Sequence, residues 1–320
     1  IYLDRLRQHA PTLESIVTIT DKLALEQAAR ADAEIAAGRY RGPLHGIPWG
    51  AKDLLDTRGI RTTWGAAPYR DRVPERDATV VSKLANAGAV LIAKTTLGEL
   101  AGGHIWFGGR TRSPWNIEEA SRGSSAGSAS STAAGLLGFS IGTETQGSIT
   151  SPSMRCGTTG LRPTFGRVSR TGAMALCWSL DKIGPICRSV DDTALVLDAI
   201  NGYDPTDHDS RDVPFGFNAG QRASGLRVGY APSLFESEDA NDVDRAALAA
   251  LRDLGCELVE YDLPHLPYDS LRIILSAEQA AAFAELTLSG RDDELTRQEP
   301  SGRASSMRSY RLLSAVDLVQ

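Results

Sequence analysis

Between Arg122 and Thr164 the chain reads RGSSAGSASSTAAGLLGFSIGTETQGSITSPSMRCGTTGLRPT, a stretch dominated by small residues. A flexible linker of glycine and serine carries no apolar run. This stretch does: Ala133 to Ile141 is mostly apolar and interrupted only by glycine and one serine, and the segment closes on Gly160-Leu161-Arg162-Pro163-Thr164. Ser125 to Leu136 reads as a helix and Leu137 to Thr143 as a strand. Glycines at this density let backbone N–H groups approach a ligand closely and adopt positive φ, as an anion hole requires. The plainer reading of the same composition is a flexible surface loop.

The rest of the chain alternates helices and strands. Residues 1 to 40 read as helical, with Asp21 to Ala37 rich in Ala, Leu, Glu and Lys and stopped by Gly38. Gly46 to Asp56 reads as a short strand, with Lys52 among apolar and small neighbours. Asp77 and Thr79 open a helix through Ala87, and Ala89 to Ala93 is a buried-type strand. A second unit of this kind is expected at Thr95 to Ala101, followed by an irregular aromatic loop from Gly102 to Glu119. Further helices are expected at Ser189 to Asn201, where Ser189 and Asp192 have capping-box spacing, at Val243 to Leu254 and at Asp269 to Leu288. Strands are expected at Leu226 to Tyr230 and Glu257 to Tyr261. The pattern predicts an α/β protein with a single large mixed sheet and helices on both faces. All 320 residues then form one domain, with a core at 40–200 and peripheral elements at 201–320. The polar segment Asp204 to Ser224 is an excursion or a weak boundary.

The formal charge of −6 comes with no basic cluster, which argues against nucleic acid and against an anionic membrane surface. A small, nearly neutral partner fits better, and a homodimer is compatible. The four cysteines, Cys156, Cys177, Cys187 and Cys256, have neither zinc-type spacing nor disulfide-scaffold density, and are expected reduced and mostly packed inside. With no apolar run of membrane-spanning length and no leader-like opening, a cytoplasmic location is expected.

Histidine is the usual general base, yet none of His9, His45, His104, His208 and His265 lies in the Ser/Gly-rich stretch. Each reads as structural or exposed. No two have the spacing of a helix-borne metal site. Gly123-Ser124-Ser125-Ala126-Gly127 matches the nucleophile elbow of α/β-hydrolases, which would make Ser125 the nucleophile of an esterase. The elbow needs an apolar strand before it, and Ile117 to Arg122 is too polar. Ser179-Leu180-Asp181-Lys182 fits S-x-x-K, but without a convincing partner motif it reads as chance. What remains is serine chemistry without histidine, with Lys52 as candidate base, since burial disfavours the charged ammonium. On the residues alone, a surface lysine on a strand end is the plainer reading.

Three segments in order, GPLHGIPWGAKDLLDTRG (Gly42 to Gly59), the small-residue stretch, and GRVSRTGA (Gly166 to Ala173), resemble the amidase signature family. The likeness spans roughly residues 40 to 200. It implies the amidase signature fold and a Lys–Ser–Ser triad: lysine at Lys52, a bridging serine on a cis peptide bond at Ser124, and a nucleophile at Ser148, 24 residues further on (148 − 124). An oxyanion hole from the backbone N–H groups of Thr145, Gln146, Gly147 and Ser148 is implied too. The resemblance implies hydrolysis of a C–N bond through a serine acyl-enzyme, with no metal or organic cofactor required. Members run longer at both ends, so the chain is expected to be truncated before Ile1 and after Gln320.

Where the family often has Asp-x-Gly-Gly-Ser-Ile-Arg, this chain has Glu144-Thr145-Gln146-Gly147-Ser148-Ile149-Thr150. An arginine at position 150 can pair with a carboxylate. Thr150 cannot, so a neutral amide, anilide or urethanase-type carbamate is the expected substrate. Trp106, Phe107, Gln146 and Thr150 are the expected pocket residues. The alternative, from another class, is the amidase component of a tRNA-dependent amidotransferase, which usually keeps the pattern broken here. A non-catalytic binding module on the same fold would not need all three triad positions.

Overall fold

The run from Pro48 to Lys52 puts Trp49 and Ala51 on one side of an extended segment and Gly50 and Lys52 on the other, and the sheet is built outward from it. The computed structural model describes residues 1–237, 240–262, 264 and 266–319. In chain order the first elements are α1 (Tyr2–Leu13), β1 (Ile16–Ile19), α2 (Asp21–Ala36), β2 (Pro48–Lys52), α3 (Thr79–Asn86), β3 (Val90–Thr95) and a short hairpin of β4 (Ile105–Trp106) and β5 (Gly109–Arg110). Then come α4 (Ala126–Ala133), β6 (Phe139–Glu144), α5 (Thr150–Cys156), β7 (Thr159–Gly160), β8 (Lys182–Cys187) and α6 (Val190–Ile200).

Six of these strands form one mixed sheet in the order β1-β3-β2-β6-β8-β7. β2 runs parallel to both of its neighbours, β3 and β6, whereas β1 and β8 join antiparallel. Helices cover both faces. On one, α3 and α6 bury Val80, Leu84, Val196 and Ile200 against Trp49, Ala51 and Ile141; each such aliphatic side chain contributes about 1.5–3 kcal/mol relative to exposure. On the other lies α4, toward which Gly50, Lys52 and Gly142 point. A Cβ on Gly142 would stand 2.8 Å from Ser125 Oγ.

Helix α4 explains the small-residue stretch. Every residue from Ala126 to Thr132 is buried, so backbones approach closely and only small side chains fit. A Cβ on Gly127 would stand 2.2 Å from the Ser15 carbonyl oxygen. The hydroxyls are satisfied locally, as burial demands. Ser130 Oγ donates to the Arg112 carbonyl (2.7 Å) and Ser131 Oγ to Ser15 Oγ (2.9 Å), while Ser128 Oγ bonds Thr95 Oγ1 (2.8 Å).

Four features differ from the sequence reading. The expected all-helical residues 1 to 40 are broken by β1, where Ile16-Val17-Thr18-Ile19 supplies a β-branched run that pairs with β3. Thr95 to Ala101 is no second helix–strand unit: β3 runs to Thr95, and Glu99–Ala101 is one 3₁₀ turn with Leu100 and Ala101 at φ of 47° and 60°. β7, β8 and α5 were not expected, because Gly184 and Pro185 disguise β8 and α5 is only seven residues long. Finally, the expected helix from Asp269 to Leu288 is a 3₁₀ turn followed by two helices that part at Phe283.

By contacts the chain falls into two compact units, Ile1–Gly216 with Ile273–Gln320, and Phe217–Arg272. The second holds β9 (Arg227–Tyr230), α7 (Pro232–Glu236), α8 (Asp242–Asp253) and β10 (Glu257–Glu260), with β9 and β10 paired in parallel. Asn241 and Asp244 form a capping box at the start of α8. The first unit resumes at Ile273, within α9 (Arg272–Ala282), and goes on through α10 (Ala284–Leu288), α11 (Arg303–Tyr310) and α12 (Ala315–Val319). Among the described residues no helix is long and apolar enough to cross a membrane.

Immediately after Lys52, Asp53 forms a fully buried ion pair with Lys94 of β3, Nζ to Oδ1 3.3 Å. Lys94 also donates to the Leu55 carbonyl (2.9 Å) and Thr62 Oγ1 (2.6 Å), and Asp53 Oδ2 accepts the Thr63 N–H (2.8 Å). Breaking such a pair from one side strands a charge, so Asp53→Ala is expected to cost about 3–5 kcal/mol in urea unfolding, much of it recovered in Asp53→Ala/Lys94→Met. A single-variant loss below about 1 kcal/mol would mean that the pair is not ionised.

Candidate active site

Lys52 ends β2 on the face toward α4 and is fully buried. Its Nζ donates to Ser124 Oγ (2.8 Å), Thr143 Oγ1 (2.9 Å), Ser125 Oγ (3.0 Å) and, more weakly, the Thr143 carbonyl (3.3 Å). None of these is a carboxylate. Burial therefore lowers the ammonium from 10.5 to about 7, with the more distant Asp181 and Glu144 opposing the shift. Lys94, one strand over, is the useful contrast. Burial lowers its pKa too, but Asp53 sits against it and favours the charged form. The two lysines differ in their partners: hydroxyls and a carbonyl surround Lys52, whereas a carboxylate lies against Lys94.

Ser124 and Ser125 lead into α4, and the Gly123–Ser124 peptide bond is cis. Both serines are buried. Ser125 Oγ donates to the Thr143 carbonyl (3.1 Å) and accepts from the Thr143 N–H (3.1 Å) as well as from Lys52. That hydroxyl is committed to holding α4 against β6, and no strand runs directly into it.

After β6 the chain turns through Thr145 to Ser148, with Gly147 at φ 88°. The Ser148 carbonyl accepts the Ser125 N–H at 3.1 Å, which lays this turn against the Ser124–Ser125 segment. Ser148 is half-buried. Among the described residues the N–H groups of Thr145, Gln146 and Ser148 meet no hydrogen-bond acceptor, and that of Gly147 leans toward the Glu144 carboxylate. Glu144 anchors the turn from below: its buried carboxylate accepts the N–H groups of Ile149 (2.8 Å) and Thr150 (2.9 Å) and pairs with Arg162 (3.0 Å). These hydrogen bonds outweigh the cost of burial and hold Glu144 below the usual carboxylate range. Asp181 anchors the other side by accepting from Thr145 Oγ1, and Lys182 Nζ donates to the Thr145 carbonyl at 3.2 Å.

Beside this turn opens a cavity of about 340 Å³, lined by Thr143, Thr145, Leu54, Met174, Leu176 and Trp178 among others. Most of its charged lining is already paired: Arg170 with Asp207 and Asp209, and Asp181 with the N–H groups of Leu176 and Cys177. The expected pocket residues Trp106, Phe107, Gln146 and Thr150 are not in this lining. Trp106 turns inward and packs edge-on to Phe107, 5.0 Å between centroids. Gln146 is exposed, and Thr150 caps Glu144.

His208 lines the cavity from the surface, whereas His45 is buried against Glu34 at 3.2 Å. His9 and His104 are not in the lining, and His265 lies outside the described residues. The S-x-x-K match does not converge, because Ser179 Oγ donates to Glu278 (2.6 Å) and Lys182 to backbone carbonyls. The residues that sequence reasoning missed, Thr143, Asp181 and Trp178, carry no motif of their own. Asp181 stood inside that S-x-x-K match, but nothing linked it to Thr145.

Residues 1–315 match the model of the Amidase family, and the chain belongs to that family. It is 44% identical over 274 residues to one subunit of the Glutamyl-tRNA(Gln) amidotransferase of Heliobacterium modesticaldum, covering 83% of this chain and 56% of that protein. Against the same subunit from Carboxydothermus hydrogenoformans it is 41% identical, covering 88% of this chain and 60% of that one. The chain thus spans well under two thirds of these relatives' length. Among solved structures, the peptide amidase of Stenotrophomonas maltophilia superposes with a TM-score of 0.84 at 31% identity, covering 98% of this chain and 71% of that one.

Proposed function

We propose that this chain carries the catalytic centre of an amide C–N hydrolase working through a serine acyl-enzyme, with Lys52, Ser124 and Ser148 as the triad. The observation that carries it is Lys52: a fully buried amine with a pKa near 7, held on hydroxyls and bonded to Ser124 at 2.8 Å. Neutral Lys52 draws a proton through Ser124 from Ser148, whose Oγ attacks the amide carbonyl. The developing oxyanion meets the N–H groups of the Thr145–Ser148 turn, each such donor worth about 10²–10³ in kcat. Collapse breaks the C–N bond as the relay returns the proton to the leaving amine. Water then enters by the same relay and releases the acid.

Two settings share this chemistry. The curated relatives favour the amidase component of a tRNA-dependent amidotransferase, which would give the chain tRNA and a second polypeptide as partners. A free-standing hydrolase of neutral amides, anilides or carbamates draws support from the peptide amidase and from Thr150 standing where an arginine is usual.

Labelling with a fluorophosphonate serine probe, mapped by peptide mass spectrometry, tests the centre. The label is expected on Ser148 and is expected to vanish in Lys52→Ala. A label on Ser125, or none, would overturn the triad. The settings separate on glutaminase activity that needs tRNA and a co-purifying polypeptide, against turnover of a neutral anilide by the chain alone.

A further inference from the structure

The segment from Leu100 to Gly103 is held in an uncommon backbone conformation beside the site. Leu100 and Ala101 have φ of 47° and 60°, and Gly103 follows at 72°. Consecutive left-handed residues with side chains persist only where their surroundings hold them. Leu100 is fully buried, with its N–H donated to the Trp64 carbonyl at 3.0 Å. Ala101 lines the cavity. The Gly103 carbonyl presses on the Ser124 segment so closely that a Cβ on Gly123 would stand 1.9 Å from it.

What holds this segment from the far side is Arg303, the first residue of α11. Its Nη2 donates to the Ala101 carbonyl at 2.9 Å, and its Nη1 to Gln279 Oε1 of α9 at 2.6 Å. The guanidinium packs closely against Gly102, where a Cβ would meet Nε at 2.4 Å. Glu99, on the same segment, accepts the Thr296 N–H at 2.8 Å. Helix α9 also reaches the cavity rim through Glu278, which accepts the N–H of Ser179 (2.9 Å) next to Trp178.

We propose that Arg303 is a positioning residue for the active site: from α11, braced by Gln279, it holds the Leu100–Gly103 segment, with its left-handed Leu100 and Ala101, against Gly123 and so sets where the Ser124 hydroxyl lies. The catalytic part of this inference rests on the Lys52–Ser124–Ser148 reading. The mechanical part does not. Elements more than a hundred residues beyond the small-residue stretch thereby become part of the catalytic apparatus. No methyl or alkyl group can replace the guanidinium, because one planar fork must serve the Ala101 carbonyl and Gln279 together.

Arg303→Met and Arg303→Lys separate these parts. In hydrogen exchange read by mass spectrometry on the full chain, Arg303→Met is expected to speed exchange of residues 98–104 and 122–126 by about tenfold or more, leaving β2 unchanged. Arg303→Lys, which keeps a donor for Ala101 but not the fork, is expected to fall between Met and the parent. In turnover, Arg303→Met is expected to lower kcat by about tenfold or more with KM within about twofold, since displaced catalytic groups cost rate rather than binding. Lysine is expected to restore part of that loss. Unchanged exchange of both segments in Arg303→Met would overturn the proposal, as would a variant that loses KM alone. If the parent neither labels at Ser148 nor turns over an amide, the triad reading fails, and the exchange data still decide whether Arg303 holds the segment.

Discussion

Ser148→Ala is expected to lower kcat by on the order of 10⁶-fold, the loss typical of removing a serine nucleophile whose partners cannot act without it. KM is expected to stay within about threefold, because the cavity and its apolar wall are untouched. The fold should not register the change. Ser148 is half-buried, and its bond to the rest of the site runs through the main-chain carbonyl that accepts the Ser125 N–H. Unfolding free energies should therefore match within about 0.5 kcal/mol, the range of substitutions that remove no structural contact. Single-turnover kinetics and thermal unfolding check both halves. A residual rate within about a hundredfold of the parent would remove Ser148 from the mechanism.

Lys52→Met is the second large effect, a loss of about 10²–10⁴-fold in kcat/KM, the range for a positioned general base. Its signature is in the pH profile. With the folded pKa lowered to about 7, the parent's kcat/KM is expected to climb tenfold per unit at lower pH and level off above that value, because only the neutral amine accepts a proton. The Met variant is expected to lose this step. Stability responds in the opposite sense to a stabilising ion pair. Between about 7 and 10.5 the unfolded chain binds a proton that the native amine refuses, so Lys52 makes the parent more stable as pH rises through that window. Below it both states are protonated and the burial cost is fully present. Methionine removes that slope of a few kcal/mol, though it leaves the hydroxyls of Ser124 and Thr143 without their donor. Chemical denaturation of both proteins from pH 6 to pH 9.5 reads it, and parallel curves would mean that Lys52 is an ordinary ammonium.

Periodicity and punctuation in the sequence carried the central elements: β2, α3, β3, α4 and β6 all fall within a few residues of their expected bounds. These elements are locally encoded, by apolar runs and by glycines at their ends. β1 was hidden because four β-branched residues between two helices are too few to break a helical pattern. β8 was hidden because Gly184 and Pro185 look like a turn until Pro185 is seen facing Ile141 across the ladder. The site divides in the same way. Lys52, Ser124 and Ser148 stood out through their ordered motifs, whereas the burial that prepares Lys52 is a property of the assembled sheet and α4. Asp181, Arg170 and Trp178 come from loops whose positions no local pattern fixes. Trp106 and Phe107 misled because an aromatic loop can face a cavity or pack inward, and composition is the same in both cases.

The crowding around α4 bears on how such a molecule can diversify. A helix whose every turn touches backbone admits almost no change in side-chain size, so the machinery rooted in it is frozen by sterics before selection on chemistry begins. The cavity wall is made differently: Met174 and Leu176 tie it to the core, but Trp178, Thr206, His208 and Asp209 in the same lining are exposed loop residues. New substrate ranges can be cut at those four exposed positions at little folding cost, and directed libraries confined to them should return active proteins far more often than libraries aimed at Ala126 to Thr132.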